Sequence, residues 1–95
     1  MEIRNDTDQN RFEVVGLDEG RGVLEYRRTG DVLALNHTFV SPEARGQGIA
    51  AQLVRAALDH AREEGLTVKP HCSYVASYME DHPDDQDLLA QGFEL

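Results

Sequence analysis

The chain has 95 residues, with eighteen acidic against nine basic side chains and a formal charge of −9. That length suits one domain over residues 1–95, able to bury about two-thirds of its unfolded surface. The acidic balance argues against nucleic acid or an anionic membrane as partner and favours cations such as amines or basic peptides, although an acidic surface also serves solubility alone. A single cysteine, Cys72, excludes an internal disulfide and fits a reducing cytoplasm. No run nears the ~18 apolar residues of a membrane span, and the opening does not read as a signal peptide.

In chain order, Met1 to Arg4 reads as a short first strand and Asn5 to Asn10 as turn chemistry throughout. Arg11 to Gly16 is a second strand, Asp18-Glu19-Gly20-Arg21-Gly22 a turn, and Val23 to Arg28 a third strand. Thr29-Gly30-Asp31 is a tight hairpin turn. Val32 to Val40 follows as a strand whose alternation puts Leu33, Leu35, His37 and Phe39 on one face. Val32, Ala34, Asn36 and Thr38 fall on the other.

The period then changes. Ile49, Leu53, Ala57 and Ala61 recur every four residues, flanked by Ala50, Val54 and Leu58, so a helix runs to Glu64 and Gly65 closes it as a left-handed cap. Leu66 to Cys72 is a strand with Val68, Pro70 and Cys72 on one face. Strand, helix and strand make a βαβ unit with two parallel strands, and Pro70 interrupts their pairing because it has no N–H. Ser73 caps a short helix to about Asp81, halted by Pro83. Asp84 caps a last helix to Gly92, after which Phe93 and Leu95 return to the core. The fold class is α+β: a mixed sheet, mostly an antiparallel meander, completed by one βαβ crossover.

Between the fourth strand and the long helix lies Ser41-Pro42-Glu43-Ala44-Arg45-Gly46-Gln47-Gly48-Ile49-Ala50. A glycine-bearing turn entering a helix leaves main-chain N–H groups unpaired at the positive end of the helix dipole, where anionic oxygens bind. Gly46 and Gly48 let the backbone approach a diphosphate, and Arg45 adds a cation. The spacing fits neither the Walker pattern, since no Lys follows, nor the dinucleotide fingerprint, since position 51 is Ala51. On these residues alone, a phosphate cradle and a purely structural turn both stand.

Arg45-Gly46-Gln47-Gly48-Ile49-Ala50 resembles the Gln/Arg-x-x-Gly-x-Gly/Ala signature of the GNAT N-acetyltransferase superfamily. Asn36 to Glu43, followed by Pro70-His71-Cys72-Ser73-Tyr74-Val75, is similar to its small single-domain (YjdJ-like) group. The likeness extends over essentially the whole chain, including Asp81-His82-Pro83 and Gly92-Phe93. It implies acetyl-CoA as cosubstrate and transfer of acetyl to an amine. The amides of Gly46, Gln47, Gly48, Ile49 and Ala50, with Arg45, would hold the pyrophosphate. Main-chain groups around Phe39 and Val40 would pair with the pantetheine arm, and the thioester would lie between splayed strands beside Cys72.

Cys72 precedes a helix N-terminus, which stabilises a thiolate. It could take the acetyl group as nucleophile or protonate the departing thiolate as general acid, with His37 as a neighbouring base. Equally, Cys72 serves as a small buried hydrophobe and His37 as a core histidine. His60 and His71 read as solvated. His82 among Asp81, Asp84, Asp85 and Asp87 reads as a charged helix-capping surface rather than a cation site, and no metal is expected because ligand pairs are lacking. Tyr74 and Tyr78 either cover the pantetheine or only pack. Larger family members insert two helices after the first strand, for which Asn5 to Asn10 is too short. The acceptor site should therefore be open, or completed by another chain; an open acidic site suits a lysine side chain or peptide amine, and the expected state is a monomer or weak dimer. Two other classes remain: a non-catalytic CoA-binding regulatory module, and a small interaction domain.

Overall fold

Short turns rich in Asp, Asn and Gly force neighbouring strands to pair antiparallel, and the first four do so. A computed structural model of the chain describes residues 2–95. The strands are β1 (Glu2–Asp6), β2 (Arg11–Val15), β3 (Gly22–Thr29), β4 (Val32–Val40) and β5 (Thr67–Pro70). They form one five-stranded sheet in the order β1-β2-β3-β4-β5, with β5 parallel to β4. Helix α1 (Ile49–Glu64) makes the crossover, and α2 (Ser73–Asp81) follows β5. The α+β class and the single βαβ unit are as the sequence implies.

Strand β1 ends later than its sequence suggests, while its expected start at Met1 lies outside the described residues. Asn5 and Asp6 pair with Phe12 and Arg11, and Asn5 Oδ1 accepts from the buried Tyr26 hydroxyl at 2.6 Å. The hairpin turn is therefore only Thr7 to Asn10, closed by Asp6 Oδ1 accepting the N–H groups of Asp8 (3.1 Å) and Gln9 (3.3 Å). No helix pair stands between β1 and β2.

One core lies on one face of the sheet. Phe12, Leu24, Tyr26, Leu33, Leu35 and Val68 meet Ile49, Leu53, Val54, Ala57, Leu58 and Ala61 of α1, with Val75 and Met79 of α2 beside them. Each large member of this set contributes about 1.5–3 kcal/mol by leaving water. Gly65, at φ 69°, ends α1 in the left-handed conformation, and Leu66 N–H returns to Ala61 O at 2.8 Å.

The departure that matters most is a β-bulge. Glu25 pairs with His37 but Tyr26 pairs with Leu35, so Asn36 has no partner across the strand. One inserted residue inverts the facing of everything after it. Leu33 and Leu35 point into the core as expected. Beyond Asn36 it is Thr38, opposite buried Leu24, that takes the core side. His37 and Phe39 turn to the outer face, exposed, with His37 opposite exposed Glu25 and the Arg21 guanidinium 5.8 Å over the Phe39 ring.

The C-terminal segment also differs. Strand β5 stops at Pro70, and Cys72 rather than Ser73 occupies the N-cap of α2. In place of a last helix there is a 3₁₀ turn, Pro83–Leu88, whose carboxylates are drawn to α1. Arg55 grips buried Asp85 through two bonds (2.7 and 2.9 Å), and Arg62 grips Asp87 likewise (2.8 and 3.0 Å). Leu89 then makes a parallel bridge to Val68. Leu95 is exposed, and Phe93 packs edge-on to exposed His71. His60 is half-buried rather than freely solvated, packing edge-on against Phe12 at 5.7 Å between ring centroids.

Candidate active site

The turn before α1 is built to leave donors free. A 3₁₀ turn, Pro42–Ala44, satisfies the N–H groups of Ala44 and Arg45 within itself. Gly46 (φ 84°) and Gly48 (φ 71°) then swing the chain through left-handed backbone that side chains with a Cβ resist. Gly48 is the N-cap and offers no side-chain acceptor, and the first turn of α1 holds no acidic residue. Among the described residues, no protein acceptor takes any of the consecutive main-chain N–H groups from Gly46 to Ala51. A Cβ added at Gly46 or Gly48 would stand in open space.

These amides border a cleft of about 210 Å³ lined by Val40, Ala44, Arg45, Gly46, Gly48, Ile49, Ala50, Ala51 and Tyr74. Gln47 turns away, its Nε2 donating to Ala44 O at 3.3 Å, so only its main chain serves the turn. Arg45 folds back, donating from Nε to Val40 O at 3.2 Å, and both residues line the cleft. The platform beneath is held by glycines that the sequence reading took only as turn formers. A Cβ at Gly22 would come within 2.6 Å of Ile49 Cγ2, so α1 settles closely onto β3. Buried Ser41 ties the turn to the start of β3, its Oγ accepting Arg21 N–H at 2.8 Å and its N–H donating to Arg21 O at 2.9 Å.

That last bond sets the alternation along β4. Ser41 points its main chain at β3, so Val40 and Thr38 point theirs the other way, and Phe39 lies in register with Val23. On that other side β5 has already left. The β4–β5 ladder ends at Leu35–Pro70, and one further bond, Cys72 N–H to Leu35 O at 3.0 Å, closes it. A gap therefore opens beside Thr38 and Val40, but the missing N–H of Pro70 is not its cause. Thr67 N–H donates to Asp31 O and Ala90 N–H to Val68 O, so Val68 and Pro70 turn their main chain away from β4. It is His71 N–H, folded back onto Lys69 O at 3.0 Å, that leaves the ladder.

Cys72 sits at the closed end of this gap, half-buried, with its Sγ 3.5 Å from Thr38 Oγ1. Burial pushes its pKa up, but the Thr38 hydroxyl and the N–H groups of Val75, Tyr74 and Thr38 outweigh it, leaving the thiol more acidic than usual. Cys72 itself does not line the cleft; Val40 and Tyr74, each two residues from the Thr38–Cys72 pair, do. The bulge sets Thr38 rather than His37 against the thiol, so the expected neighbouring base is displaced to the outer face. Thr38 carried no signal in a period-two reading. Among the described residues no cluster of His, Cys, Asp or Glu could hold a metal ion. Asp85 and Asp87 are taken by Arg55 and Arg62.

Residues 11–88 match the family model described as GCN5-related N-acetyl-transferase. The chain belongs to that family. It is 34% identical over 90 residues to Protein NATD1 of Gallus gallus, covering 93% of this chain and 82% of that one. It is 41% identical over 69 residues to Protein NATD1 of Homo sapiens, covering 72% of this chain and 61% of that one. A GCN5-like protein from Staphylococcus aureus, solved by NMR, superposes with a TM-score of 0.70 at 32% identity, covering 98% of this chain and 90% of the other. The family resemblance drawn from Arg45 to Ala50 and from Pro70 to Val75 is thus correct. This member of the family has a GNAT-like fold in which only a four-residue-scale turn, Thr7 to Asn10, separates β1 from β2.

Proposed function

We propose that the protein is an acetyl-CoA-dependent N-acetyltransferase in which the amides from Gly46 to Ala51 grip the coenzyme's pyrophosphate. The observation that carries this is that those donors face a cleft and have no acceptor among the described residues. Arg45 supplies a cation in the cleft's lining. Val40 and Thr38 offer main-chain groups along the gap to the pantetheine arm, a role expected nearer Phe39, and the acetyl end then reaches Cys72.

In the transfer, the neutral amine nitrogen attacks the thioester carbonyl, the carbon–sulfur bond breaks, the nitrogen releases a proton to solvent as the amide forms, and the leaving thiolate takes a proton. Cys72 supplies that proton as general acid and recovers one from solvent. Its donors make it a stronger acid than an ordinary thiol, so the transfer to an unperturbed thiolate runs downhill. The nucleophile role is weaker, because His37 is not beside the sulfur to act as its base. The acceptor is a lysine side chain or peptide amine. An acidic chain whose β1–β2 connection is a bare turn leaves an open approach.

A non-catalytic CoA-binding module is the second reading, favoured by the same absence of a base next to Cys72. Calorimetry with CoA, then incubation with radiolabelled acetyl-CoA and a mixed peptide pool, separates the two. The expected result is saturable CoA binding and label on peptide, slowed at least tenfold in Cys72→Ala. Binding without any labelled product supports the module. Label held on the protein and lost in Cys72→Ala would restore the nucleophile.

A further inference from the structure

A second cleft of about 380 Å³ is lined by Ala51, Tyr74, Ser77, Tyr78, Asp81 and His82. It shares Ala51 and Tyr74 with the first, so the two form one groove running from the free amides along the junction of α1 and α2. Tyr74 is 42% exposed on the wall common to both. The Tyr78 ring is already stacked on His82, 3.9 Å between centroids and 9° from parallel. Among the described residues Tyr74 has no such aromatic partner, and its ring is the free platform of the groove.

The charges of this groove are unusual for a site meant to hold phosphate. Its lining contains a carboxylate, Asp81, and neither lysine nor arginine. Arg55, one helical turn beyond Ala51, is engaged by Asp59 and Asp85. A diphosphate therefore belongs to the first cleft, and the second suits a flat heterocycle without added negative charge.

Resting on the CoA reading above, we infer that the second cleft takes the adenine of the coenzyme by stacking on Tyr74. We further infer that it ignores the ribose 3′-phosphate, so that dephospho-CoA binds as well as CoA. Stacking a base on an aromatic side chain is sequence-tolerant and strong enough to matter, at about 1–3 kcal/mol per base, or roughly 5- to 150-fold in affinity. A 3′-phosphate near Asp81 would meet repulsion and no fixed cation.

The test is calorimetry, with competition where binding is weak, using CoA, dephospho-CoA and 4′-phosphopantetheine, which lacks the adenosine. Wild type should bind CoA and dephospho-CoA within about threefold of each other. Tyr74→Ala should weaken both about tenfold and leave 4′-phosphopantetheine unchanged, while Tyr74→Phe should behave as wild type. Asp81→Lys should tighten CoA relative to dephospho-CoA. Equal losses for 4′-phosphopantetheine and CoA in Tyr74→Ala, no loss in either, or a wild-type preference for CoA above about tenfold would each overturn the inference while leaving the pyrophosphate site intact. Failure of wild type to bind CoA at all would remove both readings together.

Discussion

The two ends of α1 are treated oppositely. At its C-terminus Gly65 caps the helix, Leu66 N–H returns to Ala61 O, and Arg62 clamps the 3₁₀ turn through Asp87, while Arg55 in the middle of the helix holds the same turn through Asp85. At its N-terminus Gly48 offers no capping side chain, and the amides from Gly46 to Ala51 are left to solvent or ligand. A helix normally satisfies its first-turn donors with Ser, Thr, Asp or Asn, gaining about 1 kcal/mol. Here that gain is forgone at one end, and the other end anchors the helix so that the open end stays in place.

Breaking the clamp between α1 and the 3₁₀ turn should have the largest effect. Asp85→Ala removes the carboxylate that Arg55 holds. Because Arg55 is itself partly exposed, the loss should be about 2 kcal/mol, below the range for a fully buried pair, and should be read as a lower denaturant midpoint with an unchanged slope. The hydrogen bond from Arg55 holds the Asp85 carboxyl below its ordinary value. A depressed folded pKa gives stability that is complete above the unfolded carboxylate pKa of about 4 and is lost as pH falls through the folded value. Asp85→Asn should therefore flatten the acid limb of stability below about pH 4 and leave its slope near neutrality unchanged.

Next comes the platform that joins the ends. Gly22→Ala drives a methyl into Ile49 Cγ2, and overpacking of this kind costs about 1–3 kcal/mol. If the helix instead shifts to relieve the clash, CoA affinity should fall more than stability does. At the open end, Gly48→Ala sits at positive φ and costs about 1 kcal/mol in stability, with a loss of CoA affinity of about tenfold that Gly65→Ala does not share. Both variants place a Cβ on left-handed backbone at a cap of the same helix, so their divergence in binding isolates the role of the N-terminal amides.

The smallest expected effect lies at the thiol. Thr38→Val keeps shape and removes the hydroxyl 3.5 Å from Cys72, so the pH midpoint of iodoacetamide alkylation should rise toward that of an ordinary thiol. His37→Ala should leave that midpoint where it is. A shift with His37→Ala and none with Thr38→Val would contradict the bulge-derived facing.

The difference between the ends also explains what could be read from the sequence. The helix, its Gly65 cap and the Arg45–Ala50 turn are local features, set by a four-residue apolar period and by glycines at special backbone angles, and they stand where the sequence puts them. The same holds for the Thr29–Asp31 hairpin and for where the β4–β5 pairing ends, although that end comes from His71 N–H folding back to Lys69 O and not from Pro70. Facing beyond Asn36 was not legible, because an unpaired residue inside an otherwise regular strand leaves alternation on either side undisturbed while inverting their relation. The fate of the Asp84–Asp87 run was equally hidden. Local chemistry offered helix caps, whereas in the structure Asp85 and Asp87 pair with arginines more than twenty residues away. Gly22 was the missed opportunity, since a glycine at the head of a strand signals a close approach.

The central claim is met most directly by following main-chain amide resonances of the ¹⁵N-labelled protein while CoA is added. The account predicts saturable, concerted shifts of Gly46 through Ala51, with Gly65 and His37 unmoved. Resonances of that turn that stay still at millimolar CoA, or shifts centred on another surface, would contradict it.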